Sequence, residues 1–373
     1  MTSTNHSKRL LITGIRGIPA AHGGFETFAQ ALAQHLVSQG WHVSVYCQVT
    51  PHESGSFMRN WRGIHRIPIE VPKDSAWNTL RFDYRCIKDA LDREGLVLTL
   101  GYGGAVFNIW LNVNKRPYLV NMDGFEWKRQ KWPWYAKAWL KLNEQLAMRT
   151  ATHLIADHPG IENYLKRFVS PDKVSMIAYG AEAPKKQPSL AHLKSFGLEP
   201  NRYFLIIARA EPENNLHTLL NAYCQTDQSV PLVVVGDYTK SEYAIRLRAN
   251  ACKSIIFTGG IYDSETIQAL RYHALAYLHG HSVGGTNPSL IESMACANLI
   301  LAHKNQFNQG VLEQSGLYFH DEPSCRRQLV AIQEQSKSSK LSALKQHAFE
   351  RFQAHYQWPV ILDAYKQLLE HTV

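Results

Sequence analysis

The sequence predicts an α/β protein of two doubly wound, Rossmann-like domains facing one another across a cleft. Three observations predict it. Short apolar runs alternate with segments of helical length along nearly the whole chain. Most of those runs are apolar throughout, as strands covered on both faces are. The alternation pauses at the proline- and lysine-rich stretch AEAPKKQPSLAHLKSFGLEP (181–200) and then begins again. A length of 373 residues allows two cores of ordinary domain size. The predicted domains are 1–182 and 183–373, with the last helix free to pack back on the first domain.

RLLIT (9–13) is the first strand. The stretch from Glu26 to Gln39 places Phe28, Leu32, His35 and Leu36 on one helical face before Gly40 stops it, and WHVSVYC (41–47) completes a βαβ unit. Strand-like LVLTL (96–100), PYLVNM (117–122) and THLIA (152–156) follow, separated by helical lengths that include Trp134–Thr150. The second half reads YFLIIA (203–208), helix Asn215–Tyr223, PLVVVG (231–236), helix Glu242–Cys252, SIIFTG (254–259), helix Ser264–His273, LAYLHG (275–280), helix Ser289–Ala297 and LILAH (299–303). Leu341 to Leu369 is helical with a break at Trp358-Pro359. Folds of this kind bind ligands beyond the carboxyl ends of their strands.

Composition narrows the class. Forty Lys+Arg against thirty-one Asp+Glu give +9, while 19% charged, 45% hydrophobic and 11% aromatic residues exclude a disordered chain. MTSTNHSKRLLI passes from a polar tail into a short apolar stretch with no signal-type hydrophobic region. No later run approaches the roughly 18 apolar residues of a bilayer span, so a cytoplasmic protein is expected. Cys47, Cys86, Cys224, Cys252, Cys296 and Cys325 form no C-x-x-C pair and are expected as buried free thiols, with neither a disulfide framework nor a metal site.

Two loops carry candidate chemistry. GIRGIPAAHGGFET (14–27) crowds Gly14, Gly17, Gly23 and Gly24 between a strand and a helix, where glycines admit a ligand and a helix N-terminus favours an anion. A tight turn alone needs only one or two glycines. The spacing is not G-x-G-x-x-G and lacks the P-loop lysine, which disfavours a dehydrogenase or an NTPase. GHSVGGTNPSLIES (280–293) opens a helix in the other domain: Pro288 suits its first position, Thr286 or Asn287 caps it, Gly284 and Gly285 allow close approach, and Ser289 and Glu292 share a face. Glu292 is a candidate acceptor of sugar hydroxyls, the alternative being a solvated helix residue.

Asp123 and Glu126 follow a strand of the first domain and are candidates for acceptor binding or for a base, against the alternative of ordinary surface carboxylates. His158 in ADHPGI either meets the cleft as a catalytic group or caps the following helix. His279 and His281, two apart, are expected on opposite sides of a strand, which argues against a shared metal and leaves His281 to reach the donor.

These residues resemble a family. IIARAEPENNLHTLLNAY (206–223) and PSLIESMACANLILAH (288–303) resemble the donor-site segments of family 4 glycosyltransferases of the GT-B fold. ITGIRGIPAAHGGFETFAQALA (12–33), NMDGFEWKRQKW (121–132), GTNPSLIESMA (285–295) and NQFNQGVL (305–312) together resemble the bacterial rhamnosyltransferase subgroup of surface polysaccharide synthesis, over nearly the whole chain. The resemblance implies retaining, metal-independent transfer from a nucleotide-sugar, dTDP-rhamnose or a UDP-sugar of the glucose, galactose or N-acetylhexosamine type, to a lipid-linked saccharide, with no cofactor. It also implies that Arg209 holds the donor diphosphate. Two positions depart from the pattern: Gly284 stands where a glutamate eight residues before Glu292 is usual, and Asn214 where a lysine is usual. A nucleotide-sugar-binding protein without turnover is the alternative those departures motivate.

WKRQKWPWYAKAWLK (127–141) interleaves Lys128, Arg129, Lys131, Lys137 and Lys141 with tryptophans including Trp132 and Trp134. That composition suits an anionic membrane surface at the inner face of the cell membrane better than nucleic acid, and the alternative is an amphipathic helix with its tryptophans packed inside.

Overall fold

A computed structural model describes residues 8–21, 23–73 and 75–372. By its own contacts the chain divides into two compact units, one of Met1–Trp127, Pro133–Ala178 and Trp358–Val373, the other of Lys128–Trp132 and Tyr179–Gln357.

The first unit runs β1 (Arg9–Thr13), α1 (Gly24–Ser38), β2 (His42–Val49), α2 (Pro51–Ser54), β3 (Asn60–Trp61), β4 (Ile64–Glu70), α3 (Ala76–Leu91), β5 (Leu96–Leu100), α4 (Ala105–Val113), β6 (Tyr118–Asn121), α5 (Trp134–Thr150), β7 (His153–Ala156), α6 (Pro159–Leu165) and β8 (Val174–Met176). Its sheet has the order β3-β4-β2-β1-β5-β6-β7-β8 and is parallel except for the β3–β4 pair. The fully apolar cores of β1, β5 and β7 are buried on both faces. Strands step one way from β1 to β2 and the other way from β4 through β8. Right-handed crossovers therefore put α1 on one face and α3, α4, α5 and α6 on the other. α4 packs between α3 and α5.

The second unit runs α7 (Ala191–Lys194), β9 (Phe204–Ile207), α8 (Leu216–Cys224), β10 (Leu232–Val235), α9 (Glu242–Ala249), β11 (Ile255–Gly259), α10 (Ser264–Tyr272), β12 (Ala276–His279), α11 (Pro288–Ala295), β13 (Ile300–His303), α12 (Gln306–Leu312), β14 (Leu317–Phe319), α13 (Glu322–Glu334) and α14 (Ser339–His355). Its parallel sheet has the order β11-β10-β9-β12-β13-β14. The chain then returns as α15 (Trp358–Thr372) to the first unit. There the Tyr365 ring lies 4.6 Å from Phe28 of α1, and the Asn121 amide donates to the Tyr365 hydroxyl at 2.7 Å.

The structure adds elements that periodicity did not mark. β4 reads IHRIPIE, and its proline and two basic residues hide it from a pattern search. β8 and β14 have three residues each. One expectation is corrected: Cys224 and Cys252 form a disulfide, leaving Cys47, Cys86, Cys296 and Cys325 as buried free thiols. The pair lies 28 residues apart, one at the end of α8 and the other just past α9, so folding rather than spacing brings them together.

Candidate active site

In each sheet the strand order reverses at one point, the position where folds of this kind place a ligand crevice beyond the carboxyl ends of the strands. In the second unit that point lies between β9 and β12, which pair directly. The loops following these two strands, together with α11, hold every donor candidate of the second half. They are laced together: Ser282 donates from its backbone N–H at 2.9 Å and its hydroxyl at 2.8 Å to the Glu213 carbonyl, and the Asn215 side chain donates to the Gly280 carbonyl at 2.8 Å. A Cβ on Gly280 would stand 2.1 Å from the Asn214 carbonyl oxygen, so only glycine lets the loops approach this closely.

Arg209 is exposed on the first loop. Asn214 is buried and its amide donates to the Arg209 carbonyl at 2.8 Å, which makes it a brace for the arginine's backbone. On the second loop Asn287 caps α11 by accepting from the Ser289 N–H at 3.0 Å, Pro288 takes the first helical position, and Thr286 is buried beside them. Gly284 adopts φ of 143°, and a Cβ there would meet nothing within 4 Å. The space for a larger side chain exists, but the backbone strains any residue other than glycine.

Ser289 and Glu292 share a face of α11, and Arg271 of α10 reaches both, pairing with the Glu292 carboxylate and lying 3.5 Å from the Ser289 hydroxyl. The Tyr277 hydroxyl also donates to Ser289 at 2.9 Å. Glu292 is thus fixed in position, with about a third of its side chain (35%) still exposed. Arg271 and Tyr277 are residues that sequence reasoning missed, because neither lies in a glycine-rich motif.

The two histidines require a correction. The rings of His279 and His281 stack at 4.4 Å with 15° between their planes, so they lie on one side. Alternation in a strand gives residues two apart the same face. Burial pushes the His281 ring down to about 3, with Arg209 and Arg129 adding to the effect, and pushes His279 further below its ordinary value. Both are neutral at pH 7. The His281 carbonyl accepts from Asn305 at 3.0 Å and from Asn308 at 2.9 Å, so the NQFN segment holds this loop. Among the described residues, no group of three or more His, Cys, Asp or Glu is arranged to hold a metal ion.

In the first unit the reversal lies between β1 and β5, and a cavity of about 360 Å³ opens there. Gly14, Glu26, Asp83, Asn108, Asp123 and Glu126 are among its lining residues. Asp123 holds φ of 46°, and its N–H donates to the Asn121 side chain at 2.9 Å, while Glu126 donates its N–H to the Tyr102 hydroxyl at 2.9 Å. Asp83, on α3, was not anticipated; burial pushes its carboxyl up to about 7. A second cavity of about 320 Å³ shares Arg16, Glu26 and Gln48 with the first and is lined by Gly17. Gly23 and Gly24 form the start of α1. His158 is buried and caps α6, its Nδ1 accepting from the Gly160 N–H at 2.9 Å.

Residues 191–329 match the family described as glycosyl transferases group 1. The chain carries a glycosyltransferase domain. Residues 7–182 match a family described only as a domain of unknown function, DUF1972. No protein of curated function matches the chain. Among solved structures, this glycosyltransferase is similar to sucrose-phosphate synthase from Thermosynechococcus elongatus, at TM-score 0.80, 19% identity and coverage of 98% of both chains. It is similar to HepE from Anabaena in complex with UDP-glucose, at TM-score 0.75 and 14% identity over 98% of this chain and 100% of that one. A glycosyltransferase from Rickettsia africae gives TM-score 0.73 at 12% identity, with 98% of both chains covered. The glycosyltransferase has the GT-B fold, an α/β architecture of two parallel-sheet domains.

Proposed function

We propose that this glycosyltransferase transfers rhamnose from dTDP-rhamnose, with retention and without a metal, to a lipid-linked saccharide in the synthesis of a bacterial surface polysaccharide. We place its work at the inner face of the cell membrane. The observation that carries the reading is the pair of loops after β9 and β12, hydrogen-bonded to each other, of which one carries Arg209 and the other leads through Gly284–Thr286 into the N-terminus of α11 and Glu292. A guanidinium and oriented amides suit a diphosphate leaving group, and a fixed carboxylate suits sugar or ribose hydroxyls.

In the transfer, the acceptor oxygen forms a bond to the anomeric carbon while the bond from that carbon to the diphosphate oxygen breaks, its electron pair leaving with the nucleoside diphosphate. Departure and attack on one face bring the leaving oxygen beside the incoming hydroxyl, and it takes the proton. Asp123 and Glu126, lining the first unit's cavity, bind the acceptor saccharide. The motif resemblance at 12–33, 121–132 and 305–312 supports rhamnose. The similarity to a HepE structure containing UDP-glucose favours a second reading, a UDP-sugar donor.

Incubation with a panel of dTDP-, UDP- and GDP-sugars and a lipid-linked acceptor tests both, read as release of nucleoside diphosphate. Release with dTDP-rhamnose alone supports the first reading and release with a UDP-sugar alone the second. Binding with no release under any condition leaves a nucleotide-sugar-binding protein.

A further inference from the structure

The stretch 127–141 is not a uniform membrane-facing segment. The Trp127 indole donates to Glu144 at 2.8 Å, the Trp139 indole donates to the Gly103 carbonyl at 3.0 Å, and Lys141 is paired with Glu144. Trp132 is half-buried. Its exposed aromatics are Trp134 (81%) and Tyr135 (63%), both at the start of α5. These belong to a larger surface. On α3, Trp77, Arg81, Tyr84 and Lys88 recur at helical spacing and are all exposed; on α4, Trp110 and Val113 are exposed; on α5, Leu142 continues the line of Tyr135. Tyr84 meets Trp110 edge to face at 6.2 Å, which joins the α3 and α4 stripes.

The crossovers put these helices on one face of the sheet. Seven of the large apolar side chains exposed on the chain, Trp77, Tyr84, Trp110, Val113, Trp134, Tyr135 and Leu142, stand on just three adjacent helices, a concentration that marks an interaction surface rather than ordinary scatter. The exposed charge on these helices is basic, and the exposed acids Asp92 and Glu94 lie just beyond the end of α3. Arg81, Lys88, Lys115 and Arg149 are exposed. The acidic residues of the same helices are turned inward or paired: Glu144 with Lys141, Asp89 with Arg93, and Asp83 in the cavity.

We infer that the α3–α4–α5 face docks on an anionic phospholipid bilayer, with the tryptophans at headgroup depth and the basic residues against lipid phosphates. Charge complementarity selects this occupant: an apolar patch ringed by cations without exposed acid on its helices suits a surface of phosphates. The inference deepens the proposed membrane location, and its test needs neither donor nor acceptor, so its failure leaves the transfer reaction untouched.

Sedimentation of the full chain with phosphatidylglycerol vesicles and with phosphatidylcholine vesicles, at low and high salt, provides the test. Binding to the anionic vesicles at low salt, weakened by salt, is expected. A Trp77→Ser, Trp110→Ser, Trp134→Ser variant should lose most of it, while an Arg81→Ser, Lys88→Ser, Lys115→Ser variant should weaken it about fivefold for each charge that lies at the surface. All six positions are exposed, and circular dichroism checks that folding is intact. Wild type that ignores phosphatidylglycerol at low salt, or a tryptophan variant that sediments like wild type, overturns the inference. A wild-type dimer in solution that the tryptophan variant abolishes, without vesicle binding, assigns the face to a second copy of the chain instead.

Discussion

Arg271 of α10 holds the carboxylate of Glu292 on α11, although the two lie in helices separated by a strand and a glycine-rich loop. The arginine is buried and its guanidinium also lies 3.5 Å from the Ser289 hydroxyl, so it ties α10 to two positions on one face of α11. Glu292 keeps one side toward solvent, where it can accept a hydroxyl without giving up its partner.

Glu292→Gln should therefore weaken nucleoside diphosphate-sugar binding by about 1.5–3 kcal/mol, the loss of one charged hydrogen bond, while leaving the fold in place. Arg271→Met should cost about 2 kcal/mol of stability, because it leaves a part-buried carboxylate without its cation. Calorimetric titration and thermal melts separate the two. Equal, wild-type-like donor affinity in both variants would move the sugar site away from α11.

Arg209 and His281 should behave differently although they share the crevice. Arg209→Ala should weaken UDP or dTDP binding by about 1.5–3 kcal/mol and flatten its salt dependence. His281 is neutral down to about pH 3, so it contributes no charge to the diphosphate at neutral pH. Binding measured at about pH 5.5 and about pH 7.5 should show no histidine-like titration from this ring. A strong gain in affinity on acidification that His281→Ala abolishes would contradict the neutral ring.

Much of this was legible in the sequence, and for identifiable reasons. The apolar runs of β1, β5, β9, β10 and β12 could only be covered strands, and the Asn287-Pro288 cap marked the start of α11 from chemistry alone. Partners distant in sequence were hidden. Nothing in the order of residues says that Arg271 meets Glu292, that Cys224 meets Cys252, or that Asp83 shares a cavity with Asp123. The stripe Trp77–Arg81–Tyr84–Lys88 is helical in period, but its exposure depends on which face of α3 the sheet covers, and the interleaved Phe82 and Cys86 fill that side.

Asp83 gives a pH dependence whose sign is fixed by its environment. Its folded carboxyl titrates at about 7, against about 4 for an unperturbed aspartate. The raised value means that the folded state binds the extra proton. The associated stability is fully present below about pH 4 and is lost as pH rises through 7. Asp83→Asn should match wild type in acid and become more stable by about 2 kcal/mol above neutrality, a full three-unit shift being reduced for the solvent that reaches the cavity. Other ionisable groups facing the cavity are Arg16, Glu26, Tyr102, Asp123 and Glu126, and Cys86 lies beside Asp83 on α3. Urea melts across the pH range decide it; parallel curves for the two proteins would show that Asp83 is ionised throughout.

Lys141 should prove structural although it sits in the most basic stretch of the chain. Its ammonium pairs with Glu144, which is 2% exposed, lies 4.3 Å from the Trp127 ring, and donates to the Tyr164 hydroxyl. Burial pulls its pKa down, but the bonds to Glu144 and Tyr164 outweigh that and leave it raised, so the lysine is charged and held. Lys141→Ser would leave the buried carboxylate with only the Trp127 and Tyr164 donors, and should cost about 2 kcal/mol of stability. Lys137→Ser, one turn earlier in α5, should change stability by no more than about 0.5 kcal/mol. In the Lys141→Ser background, Glu144→Gln should restore part of the loss, since a neutral amide can still accept from the indole without an uncompensated charge. Denaturant midpoints for the four proteins give the answer. A Lys141→Ser midpoint equal to wild type would show that Glu144 does not depend on this cation, and would return Lys141 to the set of residues free to meet a lipid surface.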